Sequence, residues 1–365
     1  MSERVWNFAA GPANLPVPVL EEAREHLLAL PGTGASILEI SHRSEAFTLV
    51  QEEAEANLRE LLEIPAGSRV LFLQGGASLQ VSMVPMNLLA GSRAPAAYVV
   101  TGSWGERAAA EARRQGPVGV VWDGAPDGYT RVPDLGELEV PRAAPYLHVT
   151  TNETIEGVQL PEDFEPETGP PLVADASSDL LSRPIPVDRY SLLYAGAQKN
   201  AGPAGLTVVI VRDDLLARAA PDLPTMLDYR THAEHRSSFN TPPVFAVYVL
   251  MLVTRWIRDE IGGLDKMRER NAEKAALLYE ALDASEGFYR GHAHPSARSW
   301  MNVTFRLADE ELEHRFLAEA AEHDLVELRG HRSVGGVRAS IYNAMPLEGV
   351  RALQAFMDDF RARHA

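Results

Sequence analysis

What most constrains this chain is a rhythm. Short apolar runs alternate with helical stretches and glycine-bearing turns through two thirds of its 365 residues. Arg69 to Gln74, Ala96 to Thr101, Val118 to Trp122 and Tyr146 to Thr151 are such runs, as are Leu172 to Ala174 ending at Asp175, Ser191 to Ala195, and Leu206 to Val211. Near-continuous apolar runs are what strands buried on both faces require. The intervening periodicity predicts helices over 17–30, with Leu20, Ala23 and Leu27 on one face, and over 45–63, with Phe47, Val50, Ala54, Leu58 and Leu61. Further helices are expected from Gly76 to Leu89 and near 106–115. Strands alternating with helices in this way predict an α/β fold, a mostly parallel sheet covered on both faces. Its ligand site should lie beyond the carboxyl ends of the strands.

After Val244 the pattern changes. Residues 244–286 read as largely helical, broken near Gly262-Gly263. Trp300 to Leu307 reads as a strand, Glu310 to His323 as a helix and Val337 to Tyr342 as a strand; a closing helix carries Leu347, Val350, Leu353, Met357 and Phe360 on one face. This predicts a large domain over residues 15–262 and a smaller C-terminal α/β domain over 263–365. No repeat or low-complexity segment is visible.

Composition excludes several classes of function. Acidic residues number 51 against 34 basic ones, a net charge of −17, and a surface this acidic is repelled by phosphate backbones. Nucleic acid is therefore not an expected partner. The absence of cysteine removes disulfides, thiolate metal sites and any Cys nucleophile. The start, Met1-Ser-Glu-Arg-Val-Trp6, has no basic segment followed by an apolar core, and the longest apolar run, Val244 to Val253, is shorter than the ~20 residues a spanning helix needs. A soluble, cytoplasmic protein without a signal peptide or membrane partner is expected.

All but three of the basic residues are arginine; the lysines are Lys199, Lys266 and Lys274. Lys266, Arg270 and Lys274 form one i,i+4 row beside a row of Asp265, Glu269 and Glu273, which predicts a solvated, charge-laced helix face for both lysines. Lys199 differs. It stands just past a strand in Tyr194-Ala-Gly-Ala-Gln-Lys-Asn-Ala-Gly-Pro-Ala-Gly205, and the nearest acidic residues in sequence are Asp188 and Asp213. A desolvated lysine without a local carboxylate has a lowered pKa and a nucleophilic amine; a lysine at a strand end simply reaching water is the plainer alternative.

Asp175 closes a strand 24 residues earlier. A carboxylate at one strand end and a lysine at another match the needs of pyridoxal phosphate, whose aldehyde bonds the amine and whose ring nitrogen the carboxylate keeps protonated. Asp175 would serve equally as a helix N-cap. The Gly75-Gly76-Ala77-Ser78 turn before a helix is a candidate phosphate cup or an ordinary tight turn. Trp104, between glycines after a strand, suits stacking on a flat ring or packing in a core. Ser41-His-Arg-Ser44, Gly330-His-Arg-Ser333 and Arg338 are arginine settings suited to anions or to the surface. His292 and His294 have the spacing of metal ligands but sit in a Gly/Pro loop, so no metal site is expected.

These residues fall inside a wider likeness. Asn7-Phe-Ala-Ala-Gly-Pro12, Ser41-His-Arg43, Asn152-Glu-Thr-Ile-Glu-Gly157, Tyr194-Ala-Gly-Ala-Gln-Lys-Asn200, Phe239-Asn-Thr-Pro-Pro243, Gly330-His-Arg332 and Arg338-Ala-Ser-Ile-Tyr-Asn343 resemble the phosphoserine aminotransferases, class V, fold type I pyridoxal-phosphate enzymes. The likeness runs from about Asn7 to Arg361. It implies that Lys199 is the Schiff-base lysine, that Asp175 meets the pyridine nitrogen, and that Trp104 stacks on the ring. Thr154 would contact the ring substituents, while Gly76, Ala77, Ser78 and Gln198 would hold the cofactor phosphate. Asn240 and Thr241 would reach that phosphate from the second subunit of a homodimer. Arg338 would take the substrate α-carboxylate. His331 and Arg332, with His42 and Arg43 from the second subunit, would take the distal phosphate or carboxylate. Residues 1–14 would pack near the site. The implied reaction exchanges an amino group between glutamate and 3-phosphohydroxypyruvate in serine biosynthesis, and the family also acts on 4-phosphohydroxythreonine in pyridoxine biosynthesis.

One departure stands out. Ser78 occupies a place where some members carry an arginine that adds to substrate-phosphate binding. The competing readings are another class V aminotransferase or a non-catalytic dimeric relative. A desulfurase lacks its cysteine here, an alanine–glyoxylate type needs no second anion site, and a Rossmann dehydrogenase lacks its glycine fingerprint.

Overall fold

The structure, a computed structural model, describes residues 4–162, 164 and 169–365. Residues 1–3 of the N-terminal segment expected beside the site therefore lie outside the described residues. Seven strands form one sheet in the spatial order Ser68–Leu73, Thr207–Arg212, Leu192–Gly196, Leu172–Asp175, Leu147–Thr150, Ala96–Val100, Val118–Asp123. Only Thr207–Arg212 runs against its neighbours; the other pairings are parallel. The mostly parallel α/β sheet expected from the alternation is present.

The inner strands are mostly apolar because both faces are covered, while the edge strand Val118–Asp123 is only partly covered. Phe72, Leu193, Ala195, Val208 and Ile210 point into a core shared with helices Val17–His26, Glu45–Leu61 and Val244–Trp256. Leu71, Leu73, Tyr194, Val209 and Val211, one residue out of step, point to the opposite face, against helices Gly76–Leu88 and Ser103–Ala112. Apolar residues in both phases of the period leave few polar positions, which is why the strands read as plain runs.

The C-terminal part has its own core. Strands Arg290–Gly291, Asn302–Arg306 and Val337–Ser340 make an antiparallel sheet. Helices Leu264–Asp283, Glu310–Glu322 and Leu347–His364 pack on it around Phe305, Phe316 and Phe360. Helix Leu264–Asp283 serves both cores: Leu264 and Met267 belong to the first, Ala275, Leu278 and Leu282 to the second. The chain start joins the second core as well. Trp6–Asn7 pairs in parallel with Leu325–Val326, and Phe8 is fully buried there. No helix among the described residues is long and apolar enough to cross a membrane.

Two expectations need correcting. Lys274 does not lie on a solvated face; it is 2% exposed, while Lys266, two turns earlier, is in water with Glu269. The helix turns Lys274 inward because its neighbours Asn271, Ala275 and Leu278 are on the buried side. The helix expected near 106–115 begins at Ser103, because two carboxylates arriving from elsewhere accept the N–H groups of its first turn.

Candidate active site

The sheet brings the chemistry to one edge. Thr150, Asp175 and Tyr194 are in register across three neighbouring parallel strands. The residues after those strands, Thr151 to Thr154, Ala176 to Ser178 and Ala197 to Lys199, therefore emerge side by side. The turn after Leu73 and the helix starting at Ser103 open at the same end.

Lys199 donates from Nζ to Thr154 Oγ1 at 2.6 Å, and its ammonium stands 5.8 Å from the centre of the Trp104 ring. Burial pushes the amine's pKa down to about 8, with Arg338 adding to the fall and Asp175 opposing it. Asp175 is 7% exposed. Burial raises its pKa; hydrogen bonding by Ser177 and the charge of Lys199 counter that. Ser177 N donates to Asp175 Oδ1 at 2.9 Å, and Ser177 Oγ accepts from Gly196 N at 3.0 Å, which ties this strand end to the strand leading to Lys199. A turn, not a helix, follows Asp175, so its side chain is not a helix cap.

Helix Gly76–Leu88 starts on Gly75, which has a φ of 88° and no side chain to cap the free N–H groups. A Cβ on Gly75 would stand 2.6 Å from Leu79 Cβ, so the turn requires glycine. Gly76, Ala77 and Ser78 are its first turn, half-buried to exposed. Gln198 is half-buried, and its carbonyl accepts from Ala13 N at 2.8 Å, which brings the N-terminal segment over the lysine turn.

Arg338 projects from strand Val337–Ser340 and donates through Nη1 to Thr154 O at 3.3 Å. It thus meets the residue that holds Lys199 from the other side. Burial lowers its pKa, offset by Tyr342 and Glu156. His331 lies near enough to feel both Arg338 and Arg332. Its pKa falls mainly through burial, and Nδ1 pairs with Ser333 Oγ at 2.6 Å. Arg332 is exposed.

The remaining expected residues stand elsewhere in this chain. His42 and Arg43 line a separate pocket with Gln51, His235 and Arg236. Asn240 borders a pocket with Gln74 and Gly75, and Thr241 O accepts from Gln74 Nε2 at 3.1 Å. None of these four forms a hydrogen bond or ion pair with Lys199 or Arg338 among the described residues.

Two acidic residues were not singled out from the sequence. Glu153 accepts from Trp104 N at 3.0 Å and Gly105 N at 2.8 Å. Glu156 accepts from Ser103 N at 3.1 Å and Ser103 Oγ at 2.5 Å. Both carboxylates are buried against Gly102. Burial and the neighbouring Glu156 push the Glu153 carboxyl well above its ordinary pKa, against the two N–H donors. They occupy the positive end of helix Ser103–Ala112 and fix the backbone under Trp104. The signal was present: two carboxylates three residues apart, directly after a strand, with no basic residue nearby.

The family model Aminotransferase class-V matches residues 5–353, and the chain belongs to that family. Its relatives there are narrower in kind. It is 53% identical over 363 residues to a phosphoserine aminotransferase of Rhodopirellula baltica, covering 100% of this chain and 96% of that one. The solved phosphoserine aminotransferase of Bacillus circulans subsp. alkalophilus superposes with a TM-score of 0.97 at 49% identity, over 100% of both chains. A pyridoxal-phosphate-bound phosphoserine aminotransferase from Trichomonas vaginalis gives 0.91 at 37%, over 97% of this chain and 100% of that one.

Proposed function

We propose that this chain is a phosphoserine aminotransferase. It moves an amino group between glutamate and 3-phosphohydroxypyruvate, giving 2-oxoglutarate and O-phosphoserine. The observation that carries the reading is Lys199: a half-buried, partly desolvated amine with its pKa down to about 8, held by Thr154 and set beside Trp104, at the same sheet end as Asp175.

The residues fit pyridoxal phosphate. Asp175 is a buried carboxylate with no side-chain ion pair among the described residues, which suits a protonated ring nitrogen. The uncapped start of helix Gly76–Leu88 offers N–H groups to a phosphate. Gly76, Ala77, Ser78 and Gln198 would hold that phosphate, Trp104 would cover the ring, and Thr154 and Lys199 would meet its reactive edge. When bound, the cofactor supplies an electron sink for the substrate's α-carbon.

The chain's own residues do the rest. The Lys199 Nζ would take the substrate's α-proton as general base and, as the ammonium, deliver it as general acid to a second carbon and not back to the α-carbon; an amine with a pKa of about 8 suits both tasks near neutral pH. Asp175 keeps a fixed negative charge opposite it. Arg338 grips the α-carboxylate by paired hydrogen bonds. His331 and Arg332 face the distal anion. Arg332 brings the positive charge and His331, whose pKa is lowered, a ring N–H, so the pair accepts a carboxylate in one half-reaction and a phosphate in the other. Ser78 offers a hydroxyl, not a guanidinium, so the distal phosphate relies more on these two.

The working unit is a homodimer in which His42, Arg43, Asn240 and Thr241 complete the neighbouring site. What supports a second copy is the apolar surface on the elements that carry or adjoin these residues: Leu28, Leu38 and Leu49 are 87%, 61% and 59% exposed, and Phe239 is 41% exposed. The test is a coupled assay of the purified protein with glutamate and phosphohydroxypyruvate. Formation of 2-oxoglutarate, absent with a neutral keto acid of the same length, is the expected result. A preference for the neutral acid would overturn the substrate assignment.

A further inference from the structure

Lys274 is the one lysine with neither a solvated nor a chemical role so far. Its Nζ donates to Ile341 O at 2.9 Å, Tyr342 O at 2.7 Å and Met345 O at 3.2 Å. An ammonium has three N–H groups and no acceptor, so three converging carbonyls satisfy it completely. Burial, with Arg270, pushes its pKa well down; the three acceptors oppose that, because a neutral amine would set a lone pair against a carbonyl. A guanidinium is a planar fork and cannot converge on the same three oxygens. This is a reason for lysine in a chain that otherwise uses arginine.

The segment gripped here connects the two halves of the site. It directly follows the strand bearing Arg338. Asn343 N donates to the side chain of Asn200, the residue after Lys199, at 3.0 Å. Asn343 Nδ2 donates to Leu181 O at 2.8 Å. Asn271, one turn before Lys274 on the same helix, donates to Asn343 Oδ1 at 2.8 Å and to Ser182 O at 2.9 Å. Tyr342 OH donates to Ala10 O at 2.8 Å. Asn271, Lys274, Tyr342 and Asn343 are all buried.

We propose that Lys274 and Asn271 are positioning residues: they hold segment 341–345 so that Arg338 and Lys199 keep the separation at which one substrate's α-carboxylate and α-carbon are both reached. The proposal rests on the reading of Arg338 as the carboxylate binder. A buried polar cluster joined at both ends has one arrangement and leaves little slack, and small misplacements of a gripping residue are costly in rate and binding.

A double-mutant cycle on the holoenzyme tests this. Lys274→Met keeps the volume and removes the three bonds. It should raise KM for glutamate about tenfold, or about 1.4 kcal/mol, with a smaller fall in kcat. Combined with Arg338→Ala, it should add less than about twofold, since a grip already lost cannot be misplaced. Amide exchange at Asn343 and Met345 should quicken in Lys274→Met. An unchanged KM, or the same rise in both backgrounds, overturns the proposal and leaves Lys274 a purely structural residue. Arg338→Ala alone tests the underlying reading: no rise in KM there removes the carboxylate role itself. If Lys274→Met does not fold, Asn271→Ser, which removes only the grip on Asn343 and Ser182, enters the same cycle with the same two outcomes.

Discussion

A lysine held ready for chemistry should cost the cofactor-free fold stability, and the cost can be worked out. Lys199 has a pKa of about 8 against an ordinary value of 10.5. A gap of that size corresponds to about 3 kcal/mol at roughly 1.4 kcal/mol per unit. Below pH ~8 both native and unfolded chains hold the proton, so the native state bears the whole cost. Between about 8 and 10.5 the native amine has lost its proton while the unfolded one keeps it. The unfolded chain then binds more protons, and stability rises with pH. Above that window the cost is gone. Lys199→Met removes the charge but also the bond to Thr154, worth about 1 kcal/mol. In cofactor-free protein the variant should therefore be more stable than the parent by about 2 kcal/mol at pH 7 and about 1 kcal/mol at pH 9. Urea unfolding of both proteins at equal concentration and several pH values measures this. A parent at least as stable at pH 7, or a difference that grows with pH, would refute the idea that Lys199 is held as a desolvated amine.

Three further changes probe other parts of the site. Asp175→Asn keeps the bond from Ser177 N but removes the charge; amino transfer should fall by at least about a thousandfold, ~4 kcal/mol of barrier, and near-normal turnover would remove the role assigned to Asp175. Gly102→Ala would place a Cβ 2.6 Å from Glu153 Cδ and Glu156 Oε2; the overpacking should cost about 1–3 kcal/mol and shift tryptophan fluorescence, whereas an unchanged urea midpoint would mean the two carboxylates do not seat Trp104 as described. Arg332→Ala should raise KM for phosphohydroxypyruvate far more than for pyruvate, and equal rises would argue against a distal-anion role.

Much of the framework was legible because its signals are local. The seven strands were visible as apolar runs, since the inner ones are buried on both faces and the edge strand Val118–Asp123 is apolar though only partly covered, and the expected ends differ from the observed ones by at most one residue. Asp175 was found because it closes such a run, and Lys199 because it is one of only three lysines and stands four residues past one. Long-range pairing was not legible. Trp6–Asn7 meets Leu325–Val326 in a bridge of two residues, too short to carry a period. Lys274 was misread for an instructive reason. Its i,i+4 row of charges is real, but Asn271 and Met267 on the inward side turn the helix so that the last member of the row meets the Ile341–Met345 carbonyls. Charge spacing along a helix says which residues share a face; only the partner across the gap says whether that face is wet.

The same distinction resolves how a chain of net charge −17 can hold anions. What matters is whether the acidic groups near the site are free to neutralise its cations. Glu153 is engaged by the N–H groups of Trp104 and Gly105, and one oxygen of Glu156 by Ser103. Asp179 accepts from Thr151 and pairs with Arg183 at 3.2 Å. Asp175 is held by Ser177. Arg338, by contrast, donates only to a neutral carbonyl, and neither it nor Arg332 has an ion pair among the described residues. The helix terminus at Ser103 thus does two things at once. It seats the tryptophan, and its N–H and O–H donors engage three of the four oxygens of two carboxylates, so that Arg338 feels Glu156 without forming an ion pair with it among the described residues. An acidic body is compatible with an anion site when its nearest acids are engaged by other donors or, like Glu153, pushed toward the neutral form by burial, because little of their charge is then left to pair with the arginines.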